Sequence, residues 1–212
     1  MLELGDLRDR HKGETVWVLG SGPSLNHIEP GFFSGKTVIS TNFSADSIGV
    51  FPDYMFSHYH QHAFTLHTKS GVVVTLRKDT LSQQEWGWDY LENLVMVEQD
   101  SYAPPGSAWH PFDRNPPRDD SLAYGSSSLH GAMHLGAHLG ADNIILVGAD
   151  CGTIDDAHRV GTYPIDGHKP WALYEKHHRL MKSWLMEKYG VNVYSLNPFI
   201  NFNLEGHRFA GV

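Results

Sequence analysis

Val16-Trp17-Val18-Leu19-Gly20-Ser21-Gly22-Pro23-Ser24-Leu25 is the stretch from which the fold is read. The apolar run Val16 to Leu19 has the length and branching of a buried strand, and Gly20-Ser21-Gly22 turns sharply from it into a helix start. Pro23 suits the first helical turn, because its missing N–H costs nothing there and its φ is already helical. Ser21 and Ser24 set hydroxyls beside free amides, so an anion is welcome at this point. The residues read as a strand–turn–helix phosphate cradle near the N-terminus, where nucleotide-binding α/β domains keep theirs. The third glycine of G-x-G-x-x-G is absent, and an ordinary tight βα turn also accounts for the same ten residues.

Outward from the cradle, strands and helices alternate. Ser24 to Ile28 has room for a short helix, stopped by Pro30 and Gly31. Lys36 to Ser40 reads as a second strand, Asp53 to His58 as a third, Gly71 to Leu76 as a fourth and Asn93 to Glu98 as a fifth. Where a dinucleotide fold carries an acidic residue to grip a ribose hydroxyl, this chain has Asn42, whose neutral amide can read a base or sugar but is not the NAD signature. A brief helix is expected over Ser44 to Gly49, another through Phe64 to Lys69, and one over Thr80 to Tyr90. Residues 100–120 hold five prolines and little periodicity, with Tyr102, Trp109 and Phe112 among them. A loop of that length with aromatic content reads as a lid or an acceptor-binding loop.

The second informative block runs from Tyr124 to Thr153. Gly125-Ser126-Ser127-Ser128 opens a helix ending near Leu139 and Gly140, and Gly131, Ala132, Gly136 and Ala137 let it pack closely on a sheet. His130, His134 and His138 repeat every four residues along one stripe, expected as a partly solvated polar face rather than a metal ligand set. His58, His60 and His62 are likewise assigned no metal, since spacing two in one residue type is cheap to obtain. Asn143 to Val147 is a strongly apolar strand, and Asp150 follows it where α/β domains bind ligands, or where it caps the next turn. Pro170 to Tyr189 is an amphipathic helix with Leu173, Leu180, Trp184 and Leu185 on its buried face, and Val191 to Leu196 is a last strand. The expected fold is α/β, a Rossmann-like open, mostly parallel sheet with helices on both faces, forming one nucleotide-binding domain over residues 1–212.

Composition narrows the function. The net charge of −8 and the lack of a basic cluster argue against a nucleic-acid polymer as partner, whereas a small phosphorylated ligand needs only a few amides. No apolar run is long enough to cross a bilayer, and Met-Leu-Glu-Leu-Gly-Asp at the start lacks the regions of a signal peptide. One cysteine, Cys151, excludes an intrachain disulfide and suits a reducing cytoplasm. These features leave the oligomeric state open.

Three blocks in order, Leu-Gly-Ser-Gly-Pro-Ser-Leu, Ser-Thr-Asn-Phe and Tyr-Gly-Ser-Ser-Ser through Val-Gly-Ala-Asp, carry a resemblance over about two thirds of the chain. The chain resembles the superfamily that joins archaeal 6-hydroxymethylpterin diphosphokinase-like proteins, motility-associated glycosyltransferases and bacterial lipo-oligosaccharide sialyltransferases. The resemblance implies a nucleotide or nucleotide-sugar, a CMP-sugar first among them, contacted by Gly20, Ser21, Gly22, Pro23, Ser24 and Asn42, with Ser126 and Ser127 near sugar or phosphate. It implies His168 as general base, Tyr163 as a tyrosine assisting the leaving phosphate, and Asp150 in the catalytic group. Two departures stand out: Cys151-Gly152-Thr153 follows Asp150 where the sialyltransferases carry a tyrosine, and Ser21 replaces the usual asparagine. The expected function is therefore a glycosyltransferase moving a sugar from a nucleotide donor to a hydroxyl acceptor. The alternatives are a Mg²⁺-dependent diphosphokinase, with Asp150 and Asp155 or Asp156 on the metal, and a non-catalytic nucleotide-binding protein.

Overall fold

The computed structural model describes residues 2–59, 62–76, 92–100, 121–123, 125, 127–151 and 171–196. Eight strands form one sheet in the order β6-β5-β4-β3-β2-β1-β7-β8: β1 (Thr15–Leu19), β2 (Thr37–Thr41), β3 (Tyr54–Ser57), β4 (Val72–Leu76), β5 (Leu94–Asp100), β6 (Ser121–Ala123), β7 (Asn143–Val147) and β8 (Asn192–Leu196). Every neighbouring pair is parallel, with Leu19 opposite Ser40 on one side of β1 and opposite Val147 on the other. The class is α/β and Rossmann-like, as the alternation of apolar runs and turn residues predicts.

Parallel strands need crossovers, which cover the sheet on both sides, so the strands are apolar at consecutive positions rather than alternate ones. Val16, Val18, Ile39, Phe56, Val74, Ile144 and Leu146 face helices α2 (Ser128–His138) and α3 (Trp171–Tyr189) through Ala132, Met133, Leu135, Met181 and Leu185. Their neighbours Trp17, Leu19, Val38, Ile145 and Val147 point the other way, onto Leu25, Phe33 and Ala45. That second face is covered by 3-10 turns at Pro23–His27, Pro30–Phe33 and Asp46–Ile48, and by the one-turn α1 (Ala63–Leu66). Pro30 begins the second of these turns instead of merely stopping the first, because proline is as well suited to a first helical position as Pro23 is. The Phe56 ring lies where a side chain at Gly131 would stand, and Ile144 Cδ1 would be 3.0 Å from one at Gly136, so the small residues do set the approach of α2.

Two expectations change. The stripe His130, His134 and His138 is buried, not solvated. It survives inside because every ring is hydrogen-bonded. Ser127 N–H donates to His130 Nδ1 at 3.3 Å, so the His130 Nε2–H donates onward to His178 Nδ1 at 2.8 Å. Ala123 N–H of β6 donates to His134 Nδ1 at 2.7 Å, which leaves Nε2–H for the Tyr189 hydroxyl at 2.7 Å, and His138 Nε2 donates to Leu4 O at 2.8 Å. The seam thus ties α2 to β6, to α3 and to the N-terminal segment. On α3, Trp184 and Leu185 are buried and Leu180 packs against the core, but Leu173 is 42% exposed. The buried stripe includes His178 instead, a polar residue made tolerable there by His130.

The lead-in is also structural: Leu4 and Leu7 enter the core, and Leu2 bridges to Val95. The amides of Asp9, His11 and Gly13 donate to the carbonyls of His138, Leu139 and Gly140, capping the end of α2. Strand β6 was not expected, since three residues carry too little periodicity to read. The expected helix at 80–90 lies outside the described residues, as does the expected loop at 100–120 except for Asp100, which closes strand β5 instead.

Candidate functional site at the sheet crossover

The chain builds outward from β1 to β6, then returns to place β7 and β8 on the other side of β1. At such a reversal the loops leaving two adjacent strand ends flank a crevice, the usual ligand position of open α/β sheets. Here those loops are Gly20–Ser24 after β1 and Gly148–Cys151 after β7.

The two loops are laced to each other. Gly20 N–H donates to Val147 O and Gly22 N–H to Gly148 O, both at 2.7 Å. A Cβ at Gly20 would lie 2.5 Å from Gly148 O, and one at Gly22 would meet both the Asp150 carboxylate and Gly148 O. Gly148 in turn has φ +69, and a Cβ there would lie 2.7 Å from Gly20 O. Glycine is required at these positions for backbone to approach backbone.

Asp150 closes the lacing. Its Oδ2 accepts from Ser24 N–H at 2.6 Å and its Oδ1 from the Ser24 hydroxyl at 2.5 Å. The side chain is 2% exposed. Burial pushes the carboxyl pKa up, while the two Ser24 hydrogen bonds and the nearby His27 pull it back. The anion held by the turn is thus the protein's own carboxylate. Leu25 N–H is taken by Gly22 O, so of the amides from 20 to 25 only that of Ser21 remains uncommitted among the described residues. Ser21 itself is half-buried. Asp150 therefore sits where the strand pattern places it, but as a buried clamp on Ser24. Cys151 follows at φ +48, and burial, with Glu175 and Asp150 nearby, raises its thiol to about 12.

Next to β1, strand β2 ends in Asn42, which adopts a left-handed φ of +48, a conformation asparagine tolerates. Asn42 N–H donates to Phe56 O, and Ser57 Oγ lies 2.9 Å from its Oδ1. The side-chain orientation is thereby fixed, with the Nδ2 donors uncommitted among the described residues. Beyond it stands a group of rings from the turns after β2 and β3: Phe43 and His62 with centroids 4.9 Å apart, Tyr59 and His62 at 5.0 Å, His58 and Tyr59 at 5.3 Å. Sequence reading singled out neither Ser57 nor Tyr59; the available signal was a polar residue closing an apolar strand at the same edge as Asn42.

Ser127 caps α2, its Oγ accepting from Leu129 N–H at 3.2 Å, and His130 completes a capping box by accepting from Ser127 N–H. Ser126, Asp155, Asp156, Tyr163 and His168 lie outside the described residues. Among the described residues, no helix is long and apolar enough to cross a membrane.

No family model matches the chain. No curated protein matches it either. Among solved structures, the MAf glycosyltransferase from Magnetospirillum magneticum AMB-1 is similar in fold, with a TM-score of 0.57 and 15% identity over 94% of this chain. The match takes in 36% of that chain, so this chain spans about a third of the length of its structural neighbour. What the likeness establishes is a common α/β Rossmann-like architecture.

Proposed function

We propose that the chain binds a nucleotide-sugar, a CMP-sugar first among the candidates, in the crevice between β1 and β7 and transfers the sugar to a hydroxyl acceptor. The observation that carries this reading is the convergence of the Gly20–Ser24 and Gly148–Cys151 loops at the reversal of strand order, with Ser21 and Asn42 as uncommitted donors beside it. The architecture it shares with a glycosyltransferase supports the same direction. In this reading Ser21 and Asn42 take the phosphate and the sugar or base. Asp150 acts as a positioning residue that holds Ser24 and the glycine turn in place. The acceptor oxygen bonds to the anomeric carbon as that carbon's bond to the phosphate oxygen breaks. The electron pair leaves on the nucleotide phosphate, and the acceptor proton passes to His168. Tyr163 steadies the leaving phosphate, and Ser126 and Ser127 border the sugar.

The test is a thermal-shift series of nucleotides and nucleotide sugars, each with and without Mg²⁺. A ligand at a hundredfold its Kd adds about 2.7 kcal/mol, a rise in Tm of roughly 5–10 °C for a chain of this size. Stabilisation by cytidine nucleotides without Mg²⁺ is the expected result. Stabilisation by Mg²⁺–ATP alone would replace this reading with the diphosphokinase, in which Asp150 must leave Ser24 to reach a metal. Binding without transfer in a coupled assay would point to the non-catalytic alternative.

A further inference from the structure

The phosphate side of the crevice is only half of a nucleotide site, and the other half has a physical counterpart two strands away. Adjacent strands stand about 5 Å apart, so the end of β3 lies about 10 Å from the end of β1, comparable to the reach of a nucleotide from phosphate to base. Between them, at the end of β2, is Asn42. At the end of β3 the turn Ser57–Tyr59 is pinned by its own hydrogen bonds: Tyr59 N–H donates to Ser57 Oγ at 3.1 Å, and His62 N–H donates to Tyr59 O at 3.0 Å. Ser57 is itself tied to the sheet by Thr75, whose hydroxyl donates to Ser57 O at 3.0 Å. The rings of His62 and Tyr59 therefore stand on a fixed base at the carboxyl edge of the sheet, and Phe43, from the turn after β2, packs against His62. Tyr59 is 45% exposed, among the largest exposed apolar surfaces of the described residues.

We infer that Tyr59, braced by the tilted rings of His62 and Phe43, forms a stacking ledge for the base of the nucleotide, with the Asn42 amide reading the base edge or ribose. This rests on the nucleotide-binding reading above. The chemistry is that of a planar heterocycle on an aromatic side chain, which every base satisfies. Selectivity among bases is then left to the Nδ2 donors of Asn42, which favour a ligand presenting acceptors, as the O2 and N3 of cytosine do.

The experiment is calorimetric titration of the full chain with cytidine 5′-monophosphate, adenosine 5′-monophosphate and ribose 5-phosphate, the last lacking a base. Tyr59→Ala is expected to weaken both nucleotides by roughly 5- to 150-fold and to leave ribose 5-phosphate unchanged, while Tyr59→Phe retains wild-type affinity. Asn42→Ala is expected to weaken the cytidine more than the adenosine nucleotide. Because Tyr59 lies on the surface, its replacement leaves the fold intact, which the circular dichroism spectrum checks. If the wild type binds nucleotides and Tyr59→Ala binds them equally well, the ledge is refuted while nucleotide binding stands. If the folded wild type binds neither nucleotide, both readings fall together.

Discussion

Acidification is the perturbation that the interior of this protein should resist least. His130, His134 and His178 are buried and neutral, and burial is the first cause of the lowered pKa of each. The hydrogen bonds agree: Nδ1 of His134 already accepts from Ala123 N–H, so a proton there would set donor against donor. His134 and His178 titrate near about 3 in the folded chain, against 6.5 for an exposed histidine. A base whose pKa is depressed by folding stabilises the native state above its unfolded value and loses that contribution as pH falls. The window here runs from about 6.5 down to about 3. At about pH 5 the loss is about 2 kcal/mol for each of these two, about 4 together, with a slope of about 1.4 kcal/mol per pH unit per histidine. His130 adds in the same direction. Asp150 opposes them, since its raised pKa favours the folded state as the carboxyl takes up its proton. Against a total stability of about 5–15 kcal/mol the loss is large. Urea unfolding followed by tryptophan fluorescence, with Trp184 5.1 Å from His134, measures it across a pH series. His134→Gln, which can still accept from Ala123, should lower the slope by about one histidine's share. Stability that stays flat from about pH 7 to about pH 5 would show that these rings reach protons without unfolding, and would refute the account of the seam.

Gly22→Val should destabilise the fold as well as disturb any ligand site, by about 1–3 kcal/mol or more, because its side chain would displace Asp150 and Gly148; urea midpoints report it, and a fully stable variant would contradict the lacing of the two loops. Asp150→Ala strands the Ser24 amide and hydroxyl inside the protein, at about 1–3 kcal/mol for each unsatisfied group, and Ser24→Ala in that background should restore part of the loss. Cys151, with its thiol raised to about 12, should react with iodoacetamide at about pH 8 roughly 10³-fold more slowly in the native than in the urea-unfolded chain, as counted by mass spectrometry. His168→Ala should cut sugar transfer by roughly 10²–10⁴ while nucleotide affinity stays within a few-fold, measured by single-turnover kinetics beside calorimetry; a full-rate variant would remove it as the base.

Much of the architecture is legible in local pattern. Short β-branched runs bounded by glycine specify strands, and their apolar character on both sides specifies a parallel sheet, which is why the seven longer strands are legible and three-residue β6 is not. Turn residues mark where the chain leaves β1 and β7, so the sequence alone sets Gly20–Ser24 and Asp150 at the carboxyl edge. What those residues touch was not legible. Ser24 and Asp150 are 126 positions apart, and nothing local says that the turn's donors are satisfied by an internal carboxylate. The need for Gly22 likewise comes from the Gly148 backbone and Asp150 side chain packed against it. The histidine stripe shows the limit most clearly. Periodicity correctly puts His130, His134 and His138 on one face of a helix, yet polarity alone argues that this face is wet. It is dry because Ala123, His178, Tyr189 and Leu4, on three other segments, each supply a partner. Chain-local forces fix conformation and the direction a side chain takes. Whether a polar group can be buried depends on partners that only the packed tertiary structure brings within hydrogen-bonding distance.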